Sequence, residues 1–251
     1  MNRYYFIAAF ILLSFQGFAQ PKTSGKIVFT ETFKLNIDVP DGNPEFAKMI
    51  PPSQSQEKVL FFRGGESLFK NLEKAKDTEI THEEGDNSFQ FVMKMPESSV
   101  YINADDQILL QYQDLMDKEF LITDKPTKHT WKVTNEQKKI LDFVCQKAIL
   151  LDTTRNLAAW FTSQIPVSGG PNGMSGLPGM ILAIEEDNGN RMTLAIKVED
   201  LPQAYTFEKP KKGKKVSKKE FEKIRAEKMK EMGVGDGKGS GMKMIIREER
   251  H

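Results

Sequence analysis

Histidine, the side chain most often used for proton transfer near neutral pH, occurs at only three positions, His82, His129 and His251. No two of them have the spacing of zinc ligands, which excludes a metallohydrolase of the H-E-x-x-H type. We interpret His82 and His129 as exposed loop residues, and His251 ends the chain. The histidines therefore predict no catalytic centre.

Cys145, in the segment LDFVCQKAIL, is the single cysteine of the chain, so no intrachain disulfide can form. A nucleophilic thiol needs an electropositive environment that stabilises the thiolate. The apolar neighbours of Cys145 favour a buried structural thiol instead.

Paired carboxylates occur at Glu83-Glu84, Asp105-Asp106 and Glu185-Glu186-Asp187. A glycosidase needs two carboxylates about 5 to 10 Å apart across a cleft, and adjacent acidic residues in turns are ordinarily solvated. The chain contains no EF-hand loop of the D-x-D-x-D-G type. We therefore predict no catalytic and no metal-binding residues, and a hydrolase acting on envelope glycans or peptides stays an alternative that requires two carboxylates in a cleft near Trp160.

Methionine is frequent, with 12 residues, and Met229, Met232, Met242 and Met244 cluster near the C-terminus. Thioethers suit Cu(I), so a copper-handling protein is a weaker alternative. Methionine as a filler of helix faces and strand edges is the simpler interpretation, and we expect no cofactor.

A glycine-rich and proline-rich stretch runs from Ile165 to Gly179 and leads into the apolar run Met180–Ile184. It lacks the G-K-S/T end of a P-loop, so it predicts no phosphate site. Pro178 fixes its own φ, and the flanking glycines permit tight bends that aim the following strand. The residues predicted to form this structural motif are Gly170, Gly176 and Gly179.

The exposed rim of the same stretch is the second possibility, because a partner could bind it. The residues of this candidate ligand or partner surface are Trp160, Phe161, Pro171, Leu177 and Pro178. The sequence favours the structural role of the stretch and leaves the binding role open.

The first 19 residues have the pattern of a secretory signal peptide, with a basic start, an apolar run and small residues before the expected cleavage site. No cysteine follows the apolar run, so we expect an exported periplasmic or secreted protein that begins near Gln20 and is not a lipoprotein. No later segment has 18 consecutive apolar residues, which predicts that the protein is not an integral membrane protein.

The basic charge is local, because residues 208–230 contain 11 Lys or Arg and four Glu while the whole chain has a net charge of +1. This distribution does not indicate a nucleic-acid-binding core. A solvated helix face is the default interpretation of the basic segment, and contact with anionic lipid headgroups or an acidic partner is the alternative.

Alternating apolar residues predict about nine or ten short strands separated by turns, with a strong hairpin signal at Asp187–Asn190. The polar segment Asp77–Asn87 is expected to be an exposed connection and Thr134–Lys138 a turn. The loop Asp41–Gln56 is expected to contain a short helix at Pro44–Met49 or to form a flexible lid. Little room is left for crossover helices, so the fold class is mainly β. We expect an antiparallel half-barrel or incomplete barrel with a C-terminal α-helix and an apolar concave face.

The helix is predicted at about residues 217–232, because Ser217 and Glu220 form a capping box and Val216 and Phe221 a hydrophobic staple. The expected organisation is a signal peptide at residues 1–19 and a single β domain at residues 20–232 that ends in this basic helix. The Gly-rich residues 233–251 form a flexible tail, in which the last residues could add an edge strand or stay disordered.

The segment Ala158–Asp187 resembles the GLPGLI family of exported bacterial proteins. The name motif is present as Gly176-Leu177-Pro178-Gly179-Met180-Ile181, with Met180 in place of the second leucine. The matching upstream pieces are Trp160-Phe161-Thr162, Ile165-Pro166 and Gly170-Pro171, whereas Asn172-Gly173-Met174 departs from the aromatic-bearing segment of the family.

The resemblance implies an exported protein of bacteria with two membranes, similar to the N-terminal non-catalytic domain of a peptide-N-glycosidase. It carries over no catalytic residues, and it implies an outer-membrane receptor or transporter as partner. The expected function is a non-enzymatic envelope module that binds an apolar or peptide ligand on the concave face, or docks on such a partner.

Overall fold

The computed structural model describes residues 22–35, 51–73, 78–84, 87–94, 97–151, 156–231 and 243–250. The signal peptide at residues 1–19 and the short helix predicted at Pro44–Met49 lie outside the described residues. So do Met232 and Met242 of the candidate copper site, together with the side chains of its other two methionines.

Fifteen strands and one α-helix account for most of the described residues. The strands are β1 (Ser24–Lys34), β2 (Ser53–Arg63), β3 (Glu66–Asn71), β4 (Thr78–Glu84), β5 (Asn87–Lys94), β6 (Ser98–Asn103), β7 (Ile108–Leu115), β8 (Lys118–Asp124), β9 (Trp131–Ile140), β10 (Phe143–Leu150), β11 (Leu157–Thr162), β12 (Met180–Glu186), β13 (Arg191–Glu199), β14 (Lys214–Val216) and β15 (Lys243–Arg250), and the helix is α1 (Lys218–Glu231).

Twelve strands form one sheet in the order β14-β8-β7-β6-β3-β2-β1-β13-β12-β11-β10-β9. Its pairs are antiparallel except β14 with β8. The first strand lies near the middle of the sheet, where it pairs with β2 on one side and β13 on the other. The sheet does not close into a barrel, so the predicted mainly β, open antiparallel fold with a C-terminal helix is confirmed.

Three further strands form a small sheet in the order β15-β5-β4. Strand β4 occupies most of the polar segment Asp77–Asn87, so the prediction of an exposed connection there is wrong. The turn predicted at Thr134–Lys138 is also wrong, because these residues continue strand β9. In both segments antiparallel ladder bonds to a neighbouring strand hold a polar sequence that lacks apolar alternation. The predicted nine or ten strands are accordingly too few.

The hairpin between β12 and β13 turns at Asp187–Gly189, as the sequence predicts. Asn188 and Gly189 both have left-handed backbone angles, with φ of 58° and 83°. Such angles suit Asn and Gly and explain why this dipeptide ends one strand and starts the next.

After β13 the chain crosses the sheet before it reaches the helix. Leu201 and Phe207 pack on Leu68 and Tyr101, and Arg63 donates hydrogen bonds to the carbonyls of residues 202, 203 and 205. Strand β14 then adds to the edge at β8, and α1 follows directly. This route brings the start of the helix against the end of the large sheet.

The helix begins with the predicted capping box, because Ser217 Oγ accepts a bond from the Glu220 amide while Glu220 Oε2 accepts one from the Ser217 amide. Phe221 packs edge-on against Phe120, with ring centroids 5.4 Å apart, in a cluster that includes Val216. The cap and this cluster fix the first turn of α1 against β8. None of the helices in the described part of the chain is long and apolar enough to cross a bilayer.

Candidate functional site

A cavity of about 220 Å³ lies against one face of the large sheet, which we call the inner face. The 3₁₀ turn Pro171–Gly173 and the first turns of α1 contribute to its walls through Asn172 and through Phe221, Glu222 and Arg225. The residues that line it are Glu31, Phe33, Gln56, Lys58, Ser98, Val100, Gln111, Gln113, Leu115, Leu157, Asn172, Met174, Ile184, Glu186, Arg191, Thr193, Phe221, Glu222 and Arg225. Most of them are polar or charged, so the prediction of an apolar concave face is wrong at this cavity.

Strand register brings the charged residues of the cavity together. Glu31 of β1 lies between its register partners Gln56 of β2 and Thr193 of β13. Two residues beyond Gln56 on β2, Lys58 is opposite Asn71 of β3. Because every second residue of a strand faces the same side, these neighbours all project from the inner face.

Glu31 is buried, with 2% of its surface exposed, and both of its carboxylate oxygens have partners. Arg191 Nη2 lies 2.7 Å from Oε1, and Gln56 Nε2 donates to Oε2 at 2.9 Å. Arg191 also reaches a second carboxylate, since its Nη1 lies 3.6 Å from Glu186 Oε2. One guanidinium therefore neutralises two acidic groups at the edge of the cavity.

Lys58 is more deeply buried, with 1% of its surface exposed. Its Nζ donates to Asn71 Oδ1 at 2.7 Å and to Ser98 Oγ at 3.1 Å. Asn71 in turn donates to Gln56 Oε1 at 3.1 Å. These bonds connect Lys58 to Glu31 through neutral side chains.

We call this set of seven residues the buried polar network. Its members are Glu31, Gln56, Lys58, Asn71, Ser98, Glu186 and Arg191.

Burial and neighbouring charge act in opposite directions on the two charged residues at the centre of the network. Burial alone would raise the pKa of Glu31, but the charges of Arg191 and Lys58, with hydrogen bonds from Arg191 and Gln56, outweigh burial and hold that pKa below its ordinary value. Burial lowers the pKa of Lys58 to about 8, and the Glu31 carboxylate offsets only part of this effect. At neutral pH both groups are therefore charged.

The geometry limits the chemistry that the cavity can perform. A general acid in glycoside hydrolysis is a carboxyl group whose pKa is raised so that it keeps its proton. Glu31 has a lowered pKa and is paired with Arg191, so it is suited to accept hydrogen bonds and not to donate a proton. What the network offers a ligand is fixed charge and fixed hydrogen-bonding groups.

The family described as N-glycanase peptide, N-terminal domain matches residues 67–222, which is more than half of the chain. The chain belongs to this family. Glu31, Gln56 and Lys58 precede the matched segment, whereas Asn71, Arg191 and Ser98 lie within it.

Two solved structures of PNGF-II, in the P21 and C2 space groups, are similar to this member of the N-glycanase N-terminal domain family. The TM-scores are 0.53 and 0.51, each at 16% identity over 80% of this chain. The match covers 33% and 32% of the PNGF-II chains, so this chain spans about one third of their length. Identity at this level establishes the shared fold alone. No curated protein matches the chain.

In this N-glycanase N-terminal domain, four of the five residues of the predicted ligand or partner surface are buried. Trp160, Phe161, Pro171 and Leu177 pack in the interior, and only Pro178 is exposed. Phe161 and Leu177 belong to one apolar cluster, whereas Trp160 belongs to another. In the structure these four side chains pack in the interior. Contact with a partner stays a prediction, and Pro178 is the residue of this set that is exposed to make it.

The three glycines of the predicted structural motif lie where a side chain would collide with the backbone or core. At Gly179, with φ of 154°, a Cβ would come 2.1 Å from the carbonyl oxygen of Thr162. At Gly176, with φ of 97°, it would come 2.5 Å from the carbonyl oxygen of His129. Gly170 has an extended backbone, and there the collision would be with Ile181 Cβ at 2.7 Å.

Among the described residues, the carboxylate that contacts Trp160 is that of Glu185. Trp160 Nε1 donates to Glu185 Oε1 at 2.9 Å, and the same oxygen lies 3.0 Å from Lys138 Nζ. Lys138 also lies 4.1 Å from the centroid of the indole ring. This is an ion pair stacked on an aromatic ring, and its carboxylate is already neutralised.

Cys145 is buried with no exposed surface, as the sequence predicts for a structural thiol. Burial raises its pKa to about 11, against smaller opposing effects of a backbone hydrogen bond from Ile140 and the charge of Lys138. The thiol is therefore protonated and unreactive at neutral pH.

Sequence reasoning did not identify any member of the buried polar network as a site residue. One signal was present, because Glu31 has the same parity as Ile27, Phe29 and Phe33 in β1. A charged residue at an apolar position of a strand marks a buried charge when the strand is buried on that face.

Proposed function

We propose that this chain is a non-enzymatic, exported envelope module that binds a small polar or peptide ligand in the inner-face cavity. The expectation of an apolar ligand is replaced by a polar one because of the charges on the cavity floor. A peptide suits these walls, since amide side chains such as Gln111 and Gln113 can pair with peptide groups.

The observation that supports this proposal is the buried polar network itself. Burying charges is costly, and replacing a buried ion pair by apolar residues of similar size is often neutral or stabilising. Glu31 and Lys58 nevertheless lie on adjacent strands near the middle of the sheet, as diagonal neighbours on the walls of a cavity. Departures from the apolar pattern are expected at functional sites, and a ligand that uses these charges accounts for the departure.

The family supports an accessory role and not a catalytic one. The matched family is the N-terminal domain of an N-glycanase, and the part of PNGF-II that resembles this chain is about one third of that protein. Membership of the GLPGLI family is a finer proposal, supported by the motif Gly176–Ile181. Membership of this family would imply export and an outer-membrane receptor or transporter as partner. The pattern of residues 1–19 supports export independently.

Native mass spectrometry of the protein purified from the periplasm tests ligand binding directly. We expect a co-purifying mass in the wild type that is lost in Gln111→Trp, because the larger side chain occupies the cavity. Met192→Trp is the matched control, since Met192 is 38% exposed and is not among the residues that line the cavity, so this variant should keep the ligand. The same mass in both variants would contradict the proposal, as would a wild type that neither carries a bound mass nor binds an added carboxylic acid.

Export is tested separately by expressing the full chain and sequencing the N-terminus of the periplasmic fraction. We expect the mature chain to begin near Gln20. Recovery of uncleaved protein from the cytoplasm alone would remove export while leaving the binding proposal intact.

A further inference from the structure

Lys58 stands out within the cavity because it is a buried cation with neutral hydrogen-bond partners. An ammonium group has three N–H donors. Two of them bond to Asn71 Oδ1 and Ser98 Oγ, and in the described part of the chain no hydrogen bond from Lys58 reaches a carboxylate. Within the described residues, one N–H donor of Lys58 therefore makes no hydrogen bond, and Lys58 lines the cavity.

The nearest acidic group of the network does not fill this role. Glu31 has one oxygen bonded to Arg191 and the other to Gln56. Its charge acts on Lys58 at longer range, which offsets only part of the cost of burying the ammonium group. A second anion that bonded Lys58 directly would make burial of the lysine much less costly.

We infer that Lys58 anchors a carboxylate group of the ligand, which makes the ligand a small carboxylic acid. This inference rests on the proposed binding function and specifies the chemistry of the same cavity. Gln111 and Gln113 on β7 offer amide groups for the remainder of the ligand.

The size of the cavity restricts the ligand further. About 220 Å³ is smaller than the roughly 300–1,000 Å³ of sites for drug-sized molecules. A C-terminal peptide residue or a sugar acid is of suitable size, and both carry the carboxylate that Lys58 would bind. The two sources differ in the remainder of the molecule, so they can be separated by experiment.

Matched acid and amide probes test the inference. The peptide arm compares N-acetyl-trialanine as free acid and as C-terminal amide, and the sugar arm compares glucuronate with glucuronamide, each titrated into the full chain by calorimetry at pH 6.5. We expect at least one acid to bind about tenfold or more tightly than its amide, since a hydrogen bond between two charged groups is stronger than one to a neutral amide. The arm that binds identifies the source.

Lys58→Met should reduce the affinity for that acid to the level of the amide, while Lys139→Met, on the exposed β9 edge and absent from the cavity walls, should leave it unchanged.

A pH series on the wild type gives a second measurement that needs no folded variant. Burial lowers the pKa of Lys58 to about 8, with Glu31, Arg191 and Glu97 as the charged groups that also act on it. Acid affinity should therefore fall by about tenfold between pH 6.5 and 9.5, while amide affinity stays constant.

Each result bears on the inference. Equal binding of acid and amide, or an unchanged affinity in folded Lys58→Met, would overturn the role of Lys58 and leave the binding function standing. Failure of both acids to bind a wild type that carried a co-purified ligand, measured after this ligand has been dialysed away, would do the same. A wild type with neither a co-purified ligand nor a bound probe would overturn both proposals.

Discussion

Replacing Arg191 with methionine removes the charge that neutralises Glu31 while keeping an unbranched side chain in its place. Arg191 Nη2 lies 2.7 Å from Glu31 Oε1, and Glu31 is 2% exposed, so water has little access to replace the guanidinium. The remaining hydrogen bond to the carboxylate comes from Gln56, and Lys58 acts on it only at longer range. The variant therefore has a buried carboxylate without a direct ion pair.

Removing one partner of a buried ion pair costs about 3–5 kcal/mol of stability. Because 34% of the Arg191 side chain is exposed, solvent screens part of this interaction, and we expect about 2–3 kcal/mol at pH 7. In the wild type the lowered pKa of Glu31 contributes stability at pH values above its unfolded-state pKa, and this stability is lost as the pH falls through the folded-state pKa. In Arg191→Met burial dominates and raises the pKa of Glu31, so the loss should shrink towards pH 4 as the carboxyl group takes up a proton.

Urea unfolding followed by the fluorescence of the two tryptophans, at pH 7 and pH 4.5, measures this loss. The double variant Glu31→Gln with Arg191→Met should recover at least half of it, because the neutral amide needs no counter-ion. Arg225→Met, at the outer wall of the same cavity, should stay within about 0.5 kcal/mol of the wild type.

Two results would refute this reasoning. One is a loss below about 1 kcal/mol for Arg191→Met at pH 7. The other is a double variant no more stable than the single one. Either would mean that the Glu31 carboxylate does not depend on Arg191 for its neutralisation.

Three further predictions concern other parts of the chain. Gly179→Val should lower the free energy of unfolding in urea by about 3 kcal/mol or more, because its Cβ would collide with the Thr162 carbonyl. Gly189→Val should lower it by about 1 kcal/mol, because Gly189 has a φ of 83° but open space around it. Similar losses in the two variants would contradict a role for the collision. The free energy of unfolding should rise by up to about 3 kcal/mol between pH 8 and 10.5, because the unfolded chain binds the Lys58 proton more tightly than the folded one. A rise of the same size in Lys58→Met would contradict this assignment. Ser217→Ala should cost about 1 kcal/mol and increase hydrogen exchange in the first turn of α1, and unchanged exchange would show that the cap contributes little.

The elements that the sequence predicted correctly are those specified by residues close together in the chain. The turn at Asp187–Gly189 needs only left-handed angles at Asn and Gly, and the start of α1 needs only the pair Ser217 and Glu220. Strand β4 and the part of β9 at Thr134–Lys138 were missed because backbone hydrogen bonds to a neighbouring strand stabilise them, and such bonds leave no apolar alternation in the sequence.

The predicted site residues were assigned to a surface because aromatic and proline side chains near glycines often form binding rims. Burial of Trp160 and Leu177 shows that the same composition serves packing when the loop folds back onto the sheet. The glycine part of the prediction concerned backbone shape, and positive φ at Gly176 and Gly179 agrees with it. Composition alone did not separate a rim from a core.

The buried polar network required information that a single strand does not contain. In β1, Glu31 at an apolar position could equally have been an exposed residue near a strand end, because the strand stops at Lys34. In β2, Lys58 has the same parity as Leu60 and Phe62, which repeats the anomaly with the opposite charge. Two such anomalies of opposite sign in strands that pair would have predicted a buried charged site. The pairing of β1 with β2 cannot be predicted from the sequence, because a long connection between residues 35 and 52 separates the two strands. The sequence predicts the register of two strands only when a tight turn joins them. The strand register places Glu31 next to Gln56 and puts Lys58 two residues further along β2, on the same face. This register creates the site, and it arises from tertiary structure.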